Sequence, residues 1–324
     1  MGKVLIIGKI PLPIGGVTIH VSRLIYQLRK RGFENFALCD PGRDNALTVL
    51  LKLLRHKTIH LHISNPFYQL LLALCCKLLF KRLLITYHGN WGRYNCTGNW
   101  AVNLSAWLSF IPIVQNEESF ESAGQWNRNA RLISTYVPGC STSILCPQMR
   151  LRINGFIKKH QTILCTNAWN LAFDKYGNET YGISGIIRHI GRVPGLALIV
   201  SDPSGSYRGY IKDLNGEIPD HVYFISEPHD FRNVLKLSDA FIRNTTTDGV
   251  SLSIYEALEY NVPILASAAV SRPSFCKVFN DISEIDWPEE LALARINLYL
   301  HARNSVLPDA VSEITAIYSE CLRG

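Results

Sequence analysis

The stretch Asn244–Ser267, NTTTDGVSLSIYEALEYNVPILAS, places two carboxylates, Asp248 and Glu256, on either side of a loop-to-helix junction. The helix is predicted to begin near Ser251 or Ser253, where a serine hydroxyl can accept an orphan backbone N–H. It runs through Ile254, Ala257 and Leu258 and stops near Asn261, Val262 and Pro263. Asp248 then sits in the loop, Glu256 sits on the helix, and ILAS reads as a buried strand. Backbone N–H groups at such a helix start, along Gly249, Val250 and Ser251, attract a phosphate. A carboxylate one turn further in can accept two hydrogen bonds from the vicinal hydroxyls of a ribose. Acids also collect in the first turns of ordinary helices, where the macrodipole favours negative charge, so the pair gains meaning from its surroundings.

Those surroundings alternate strand and helix. The first half reads KVLIIG, VTIHVSRLIYQLRKRG, TIHLHIS, LLALCCKLLFKR, LLITYHG and IPIVQNEESFESAG. A second series runs from TILCTNA through GLALIVSD, HVYFIS and DAFIRN to PILAS. Such alternation implies parallel sheets covered by helices on both faces. The helix from Val17 to Arg31 shows Ile19, Leu24, Ile25 and Leu28 on one face, with Gly32 as its stop. Between the series, Cys146–Gln161 is charged and lacks a sustained period, so the linker is expected there. The domains are then 1–153 and 154–324, with the final helices left able to return to the first. The tail after Trp287 is helical, with Pro288, Glu289 and Glu290 at its start. A ligand site is expected in a cleft between two doubly wound domains, at the carboxyl ends of the strands.

A chain of 324 residues, 47% of them hydrophobic, is long enough for two such cores, which excludes disorder as its main state. The N-terminal MGKVLIIG has too short an apolar run for a signal peptide, and no segment reaches the roughly 20 apolar residues of a bilayer span. Nine cysteines at irregular spacing form no Cys-x-x-Cys pair and no Cys/His cluster. Neither zinc nor a disulfide framework is indicated, and reduced thiols in a cytoplasm are expected. The formal net charge of +7 favours an anionic partner. Leucine-rich segments bearing Lys52, Arg55, Lys57, Lys77, Lys81 and Arg82 suit either solvated helix faces or peripheral contact with an anionic membrane leaflet. No helix-turn-helix, aromatic RNA platform or zinc module supports nucleic-acid binding.

The first strand leads through Gly15 and Gly16 straight into the first helix, where missing side chains let a backbone approach a diphosphate. The spacing is not G-x-G-x-x-G, and no acid is expected to end the second strand, which disfavours NAD. His88 and Gly89 fall at the carboxyl tip of the strand ITY, where a histidine can donate to a sugar hydroxyl or phosphate oxygen. His60 and His62 alternate along a strand and read as packing residues. Trp91 and Tyr94 are aromatic faces on which an acceptor sugar can stack.

The order of acid, Gly, small polar residues, Glu-Ala-Leu, turn, Pro and apolar strand resembles the donor-site signature of the retaining glycosyltransferases of family four. The segments around Gly15–Gly16, His88–Gly89 and HVYFISEPHDFRNVLKLSDAFIRN extend the resemblance over most of the chain. It implies the GT-B fold: α/β, two Rossmann-like doubly wound parallel-sheet domains facing a cleft. It also implies that Asp248, standing where the family usually has Glu, contacts the transferred sugar, that Glu256 holds the donor ribose, and that His88 lies against the sugar. The family's Gly-Arg and Lys-Gly pairs, which neutralise the donor diphosphate, are replaced by Asn167-Ala168-Trp169 and Tyr181-Gly182. Lys175, Arg243 and Arg272 are the candidate substitutes, Arg272 the favoured one, because loops after successive strands converge.

The resemblance thus implies transfer from a nucleotide-sugar donor to a glycan or polyprenyl-diphosphate-linked acceptor, with retention, in O-antigen or capsule assembly on the cytoplasmic face of the inner membrane. The nucleotide sugar is substrate. No separate cofactor is called for, and without an Asp-x-Asp motif no metal. A glycoside hydrolase would need its two carboxylates to flank one bond, and neither acid has such a partner. A sugar-nucleotide-binding subunit without turnover is the alternative, because the usual cations are missing.

Overall fold

The computed structural model describes residues 2–12, 14–140, 143–248, 251–302 and 307–323. The chain forms two compact units, Met1–Cys140 with Pro308–Gly324, and Ser141–Leu307.

In the first unit the chain runs β1 (Val4–Gly8), α1 (Gly16–Lys30), β2 (Phe36–Cys39), α2 (Ala46–Arg55), β3 (Thr58–His62), α3 (Pro66–Leu78), β4 (Arg82–Thr86), α4 (Cys96–Leu108), β5 (Ile111–Val114), α5 (Glu117–Trp126) and β6 (Arg131–Leu132). The strands form one parallel sheet in the order β2-β1-β3-β4-β5-β6. Alternate residues of β1 serve opposite faces. Val4 and Ile6 meet Leu24 and Leu28 of α1, while Leu5 and Ile7 join the cluster that contains Leu53 of α2, Ala73 of α3 and Val102 of α4. This alternation makes both faces apolar and forces helices onto each. Burial of each such Leu or Ile contributes about 1.5–3 kcal/mol. Gly32 takes φ +74, the left-handed turn that ends α1.

The second unit runs α6 (Pro147–Ile157), β7 (Thr162–Asn167), α7 (Ile183–Ile190), β8 (Leu196–Ser201), α8 (Ser206–Asn215), β9 (Val222–Ile225), α9 (Phe231–Leu235), β10 (Ala240–Arg243), α10 (Leu252–Glu259), β11 (Ile264–Ser267), β12 (Lys277–Phe279) and α11 (Trp287–Ala302). Its parallel sheet has the order β12-β11-β10-β7-β8-β9. The last helix, α12 (Ala310–Arg323), belongs to the first unit, where Val311, Ile314 and Tyr318 pack with Val4 and Ile6.

Three sequence readings change. The expected linker 146–161 is largely α6, which buries Met149 and Ile153 in the core of the second unit. With only two buried positions its helical period is too brief to register, and the change of unit comes earlier, at Cys140–Ser141. The second strand is followed by an acid after all: Asp40 is buried, and its carboxylate accepts from the N–H of Ile10 at 3.2 Å and of Gly42 at 2.8 Å. The helix start is also capped differently. Ser251 is the residue before α10 but makes no side-chain cap, and Ser253 lies inside the helix, accepting from Asn167 Nδ2 at 2.8 Å.

Candidate functional site

In the second unit β7 and β10 are neighbours, although the chain visits β8 and β9 between them. The loops that follow them leave the sheet in opposite directions, which makes this a topological switch point, the place where open α/β sheets hold ligands. Asn167 closes β7 and Arg243 closes β10. Arg243 donates from Nε to Asp248 Oδ2 at 3.0 Å and from Nη2 to Oδ1 at 3.3 Å. Its Nη1 donates to the backbone and side-chain oxygens of Asn167, both at 3.2 Å. From beyond β11, Arg272 reaches the same carboxylate with Nη1 at 3.2 Å, and donates to Ser267 O at 2.9 Å and Thr245 Oγ1 at 3.0 Å.

Two guanidinium groups on one carboxylate leave a formal charge of +1 among buried side chains. Burial disfavours the charge of Arg243, but Asp248 more than restores it and its pKa lies above the ordinary value. For Arg272 burial prevails, helped by repulsion from Arg243 and only partly opposed by Asp248, and its pKa is lowered. The residues standing where the resemblance calls for cations brace this pair. Asn167 accepts from Arg243, and the Tyr181 ring centroid lies 5.1 Å from the Arg243 guanidinium carbon. Gly182, at φ +53, is required by close approach, since a Cβ there would come within 2.8 Å of the Asn244 carbonyl oxygen. Asn167, Thr245, Tyr181 and Ser253 are therefore parts of the site that the sequence reading did not select. The position of Asn167 at a strand's carboxyl end was the available signal.

Glu256 lies on the buried side of α10, 4% exposed. It shares its surroundings with Arg232, which stays charged despite burial chiefly through Asp230, at 2.6 Å, and next through Glu256. Lys175 is exposed, its ammonium 5.1 Å from the Tyr176 ring centroid. The neighbouring Asp174 takes a hydrogen bond from Thr246 of the acidic loop. Gly249 and Val250 lie outside the described residues.

In the first unit the switch point falls between β1 and β3. Three imidazoles gather there: His20 on α1, His62 at the end of β3 and His88 just beyond β4. His20 Nδ1 donates to Thr135 O at 3.0 Å, and His62 Nδ1 is 3.0 Å from His88 Nε2. One ring nitrogen from each lies within 4.8 Å of the others, a spacing that a single transition-metal ion can span. His60, beneath them, is bonded to Tyr318 at 2.6 Å and Thr86 at 2.8 Å. His60 is structural, as its sequence suggests, whereas His62 is joined to His88. Burial first, then mutual repulsion, lowers the pKa of His60 to about 3 and those of His62 and His88 well below the usual value. Burial likewise brings His20 down to about 4. The cluster is neutral, and among the described residues the buried Nε2 atoms of His20 and His62 have no hydrogen-bond partner. Neutral imidazoles can each accept or donate one hydrogen bond, which suits sugar hydroxyls.

Gly15 precedes α1 in an extended conformation, its N–H on Thr18 Oγ1 at 3.0 Å, and a Cβ on Gly16 would meet nothing within 4 Å. That open space at a helix N-terminus is where the resemblance puts the diphosphate. Trp91 and Tyr94 are tied into the scaffold instead of being free at their polar tips. The Trp91 indole donates to Asn103 at 2.9 Å, and the Tyr94 hydroxyl donates to Ser64 O.

Comparison with solved structures finds the same architecture along the whole chain. The Anabaena protein Alr3699/HepE, in complex with UDP and glucose, superposes with a TM-score of 0.70 at 14% identity, covering 100% of both chains. Sucrose-phosphate synthase from Thermosynechococcus elongatus gives 0.68 at 13% identity, again with 100% of each covered. WaaG, a glycosyltransferase involved in lipopolysaccharide biosynthesis, gives 0.65 at 12% identity over 97% of this chain and 99% of its own. The sequence matches no protein-family model and no curated protein. With two six-stranded parallel sheets flanked by helices, and superposition on these structures along its whole length, the fold of the chain is GT-B.

Proposed function

We propose that this chain is a retaining glycosyltransferase that moves a sugar from a nucleotide-sugar donor to a glycan or polyprenyl-diphosphate-linked acceptor. The observation that carries the reading is the pair Arg243 and Arg272 on Asp248, with Glu256 on the helix that follows. A nucleoside diphosphate departs with growing negative charge, and a fixed, buried surplus of positive charge stabilises it without reorganisation. Arg272 and Arg243 take the part of the missing Arg and Lys, and Asp248 holds both and orients the transferred sugar. Glu256 receives the ribose hydroxyls, Gly249, Val250, Ser251 and Lys175 are assigned to the phosphates, and Gly15, Gly16 and His88 are assigned to diphosphate and sugar. The scheme needs no side-chain nucleophile, no metal and no separate cofactor.

HepE has also been seen with UDP-glucose, and WaaG acts in lipopolysaccharide biosynthesis. The first supports a UDP-sugar donor and the second a role in surface-polysaccharide assembly; for this chain the proposed setting is O-antigen or capsule assembly at the cytoplasmic face of the inner membrane. Thermal-shift measurements against UDP-, GDP-, ADP- and CMP-sugars test the donor, since one of them should raise the unfolding temperature by mass action. Slow donor hydrolysis or transfer with that sugar is expected, and Arg272→Ala should lower turnover by about 10²–10³. Tight donor binding with no turnover under any acceptor would make the chain a binding subunit. Unchanged turnover in Arg272→Ala would remove that residue from the scheme.

A further inference from the structure

From Asn45 to Asn116 the sequence contains no Asp or Glu but carries Lys52, Arg55, Lys57, Lys77, Lys81, Arg82 and Arg93. This acid-free stretch makes up α2, α3 and α4, which cover the same face of the first sheet. Helix α3 is apolar on both sides. Ala73 and Cys76 face the core, while Phe67, Leu71, Leu74 and Leu78 form an outer stripe at helical spacing and are exposed. Leu47, Leu50, Leu51 and Leu54 do the same on α2. Phe80, in the turn between α3 and β4, is 96% exposed. A helix apolar all round is ordinarily buried, and adjoining exposed stripes of this extent mark an interaction surface.

The rim of this surface is basic and aromatic. A cavity of about 380 Å³ is lined by Lys77, Lys81, Trp107, Phe110, Trp126 and Arg128 among others. These residues stand in or beside the turns that lead into β4, β5 and β6, at the amino edge of the sheet. Lys81 also ties the two helices together, its Nζ donating to Leu54 O at 3.0 Å and His56 O at 2.9 Å. The acids that bound the stretch, Asp44 and Glu117, lie at the starts of α2 and α5, which follow strands and so sit at the opposite edge.

We infer that this face docks on an anionic bilayer. The leucine stripes of α2 and α3 and Phe80 enter the acyl boundary, and the cavity between Lys77, Lys81 and Arg128 receives a lipid phosphate with the tryptophans at headgroup depth. Apolar side chains alone would suit any hydrophobic partner. The absence of acids across three helices, together with cations and indoles along one rim, matches the layering of a negatively charged membrane surface. No helix among the described residues is long and apolar enough to cross a membrane. The inference extends the lipid-linked acceptor proposed above but does not depend on the donor chemistry.

Co-sedimentation with vesicles of phosphatidylglycerol and phosphatidylcholine, against phosphatidylcholine alone, tests it. Binding should need the anionic lipid and weaken with added salt. Lys77→Gln with Arg128→Gln should weaken it about thirtyfold, two cations each contributing about 1 kcal/mol. Leu78→Ser with Phe80→Ser should weaken it about a hundredfold or more, from the lost burial. Both double variants should keep the wild-type unfolding temperature and donor-induced thermal shift, so failure of the donor reading and failure of this one are told apart. Salt-independent binding to neutral vesicles, no vesicle binding, or a stable dimer that the serine variants dissolve would each overturn the inference.

Discussion

Each sheet gathers its polar chemistry at the carboxyl edge beside its first strand, yet the two edges are equipped in opposite ways. Beside β1 stand neutral imidazoles, His20, His62 and His88, with low pKa values and two nitrogens that have no partner among the described residues. Beside β7 stand permanent ions, two arginines sharing one aspartate. Topology fixes the place in both units, because neighbouring strands whose loops diverge leave an opening there. Side-chain chemistry fixes the electrical character. Neutral groups suit hydroxyl-rich partners, and an uncompensated guanidinium suits a phosphate.

The sharpest way to break the comparison is Asp248→Ala, which leaves two buried guanidinium groups without their anion. Denaturant unfolding, followed through buried Trp287 of the second unit, should show a loss of about 3–5 kcal/mol. A change below 1 kcal/mol would mean that the ion cluster is not structurally coupled.

The first unit should instead be the acid-sensitive one. Burial holds the folded-state pKa of His20 at about 4, below the ordinary imidazole value of 6.5, so on acidification the unfolded chain binds the proton first. The stability held at neutral pH is lost as pH falls from about 6.5 to about 4, at about 1.4 kcal/mol per unit, or about 3 kcal/mol for this histidine alone. Hydrogen exchange followed with pH should show amides of β1 and β3 opening before those of β7 and β10. His20→Asn should flatten the slope.

Smaller effects sharpen the assignment within the second unit. Glu256→Gln keeps the shape but removes the charge, and calorimetry should find donor affinity reduced by about tenfold, the difference between charged and neutral hydrogen bonds to the ribose. Equal reductions for ribose- and deoxyribose-containing donors would detach Glu256 from the sugar hydroxyls. Least of all, Ser253→Ala removes the acceptor for Asn167 Nδ2 and should cost about 1 kcal/mol of stability, with turnover little changed.

The sequence by itself determined the class of fold and the strand-and-helix grammar of the acidic motif. Apolar runs of period two, the stripe on α1 and the order loop, helix, turn and strand from Asp248 to Ser267 are local patterns, and local patterns follow from backbone periodicity. It also put forward Lys175, Arg243 and Arg272 as candidate substitutes for the missing cations, with Arg272 favoured. Only the tertiary structure decided that Arg243 and Arg272 share Asp248, since Arg272 arrives from 24 positions away through the pairing of β10 with β11. The histidine cluster depends likewise on β3 lying between β1 and β4, and α12 on its return to the first sheet after the whole second unit. Strand order is set by the burial of entire faces, a property no window of sequence contains. The contacts at both switch points follow from it.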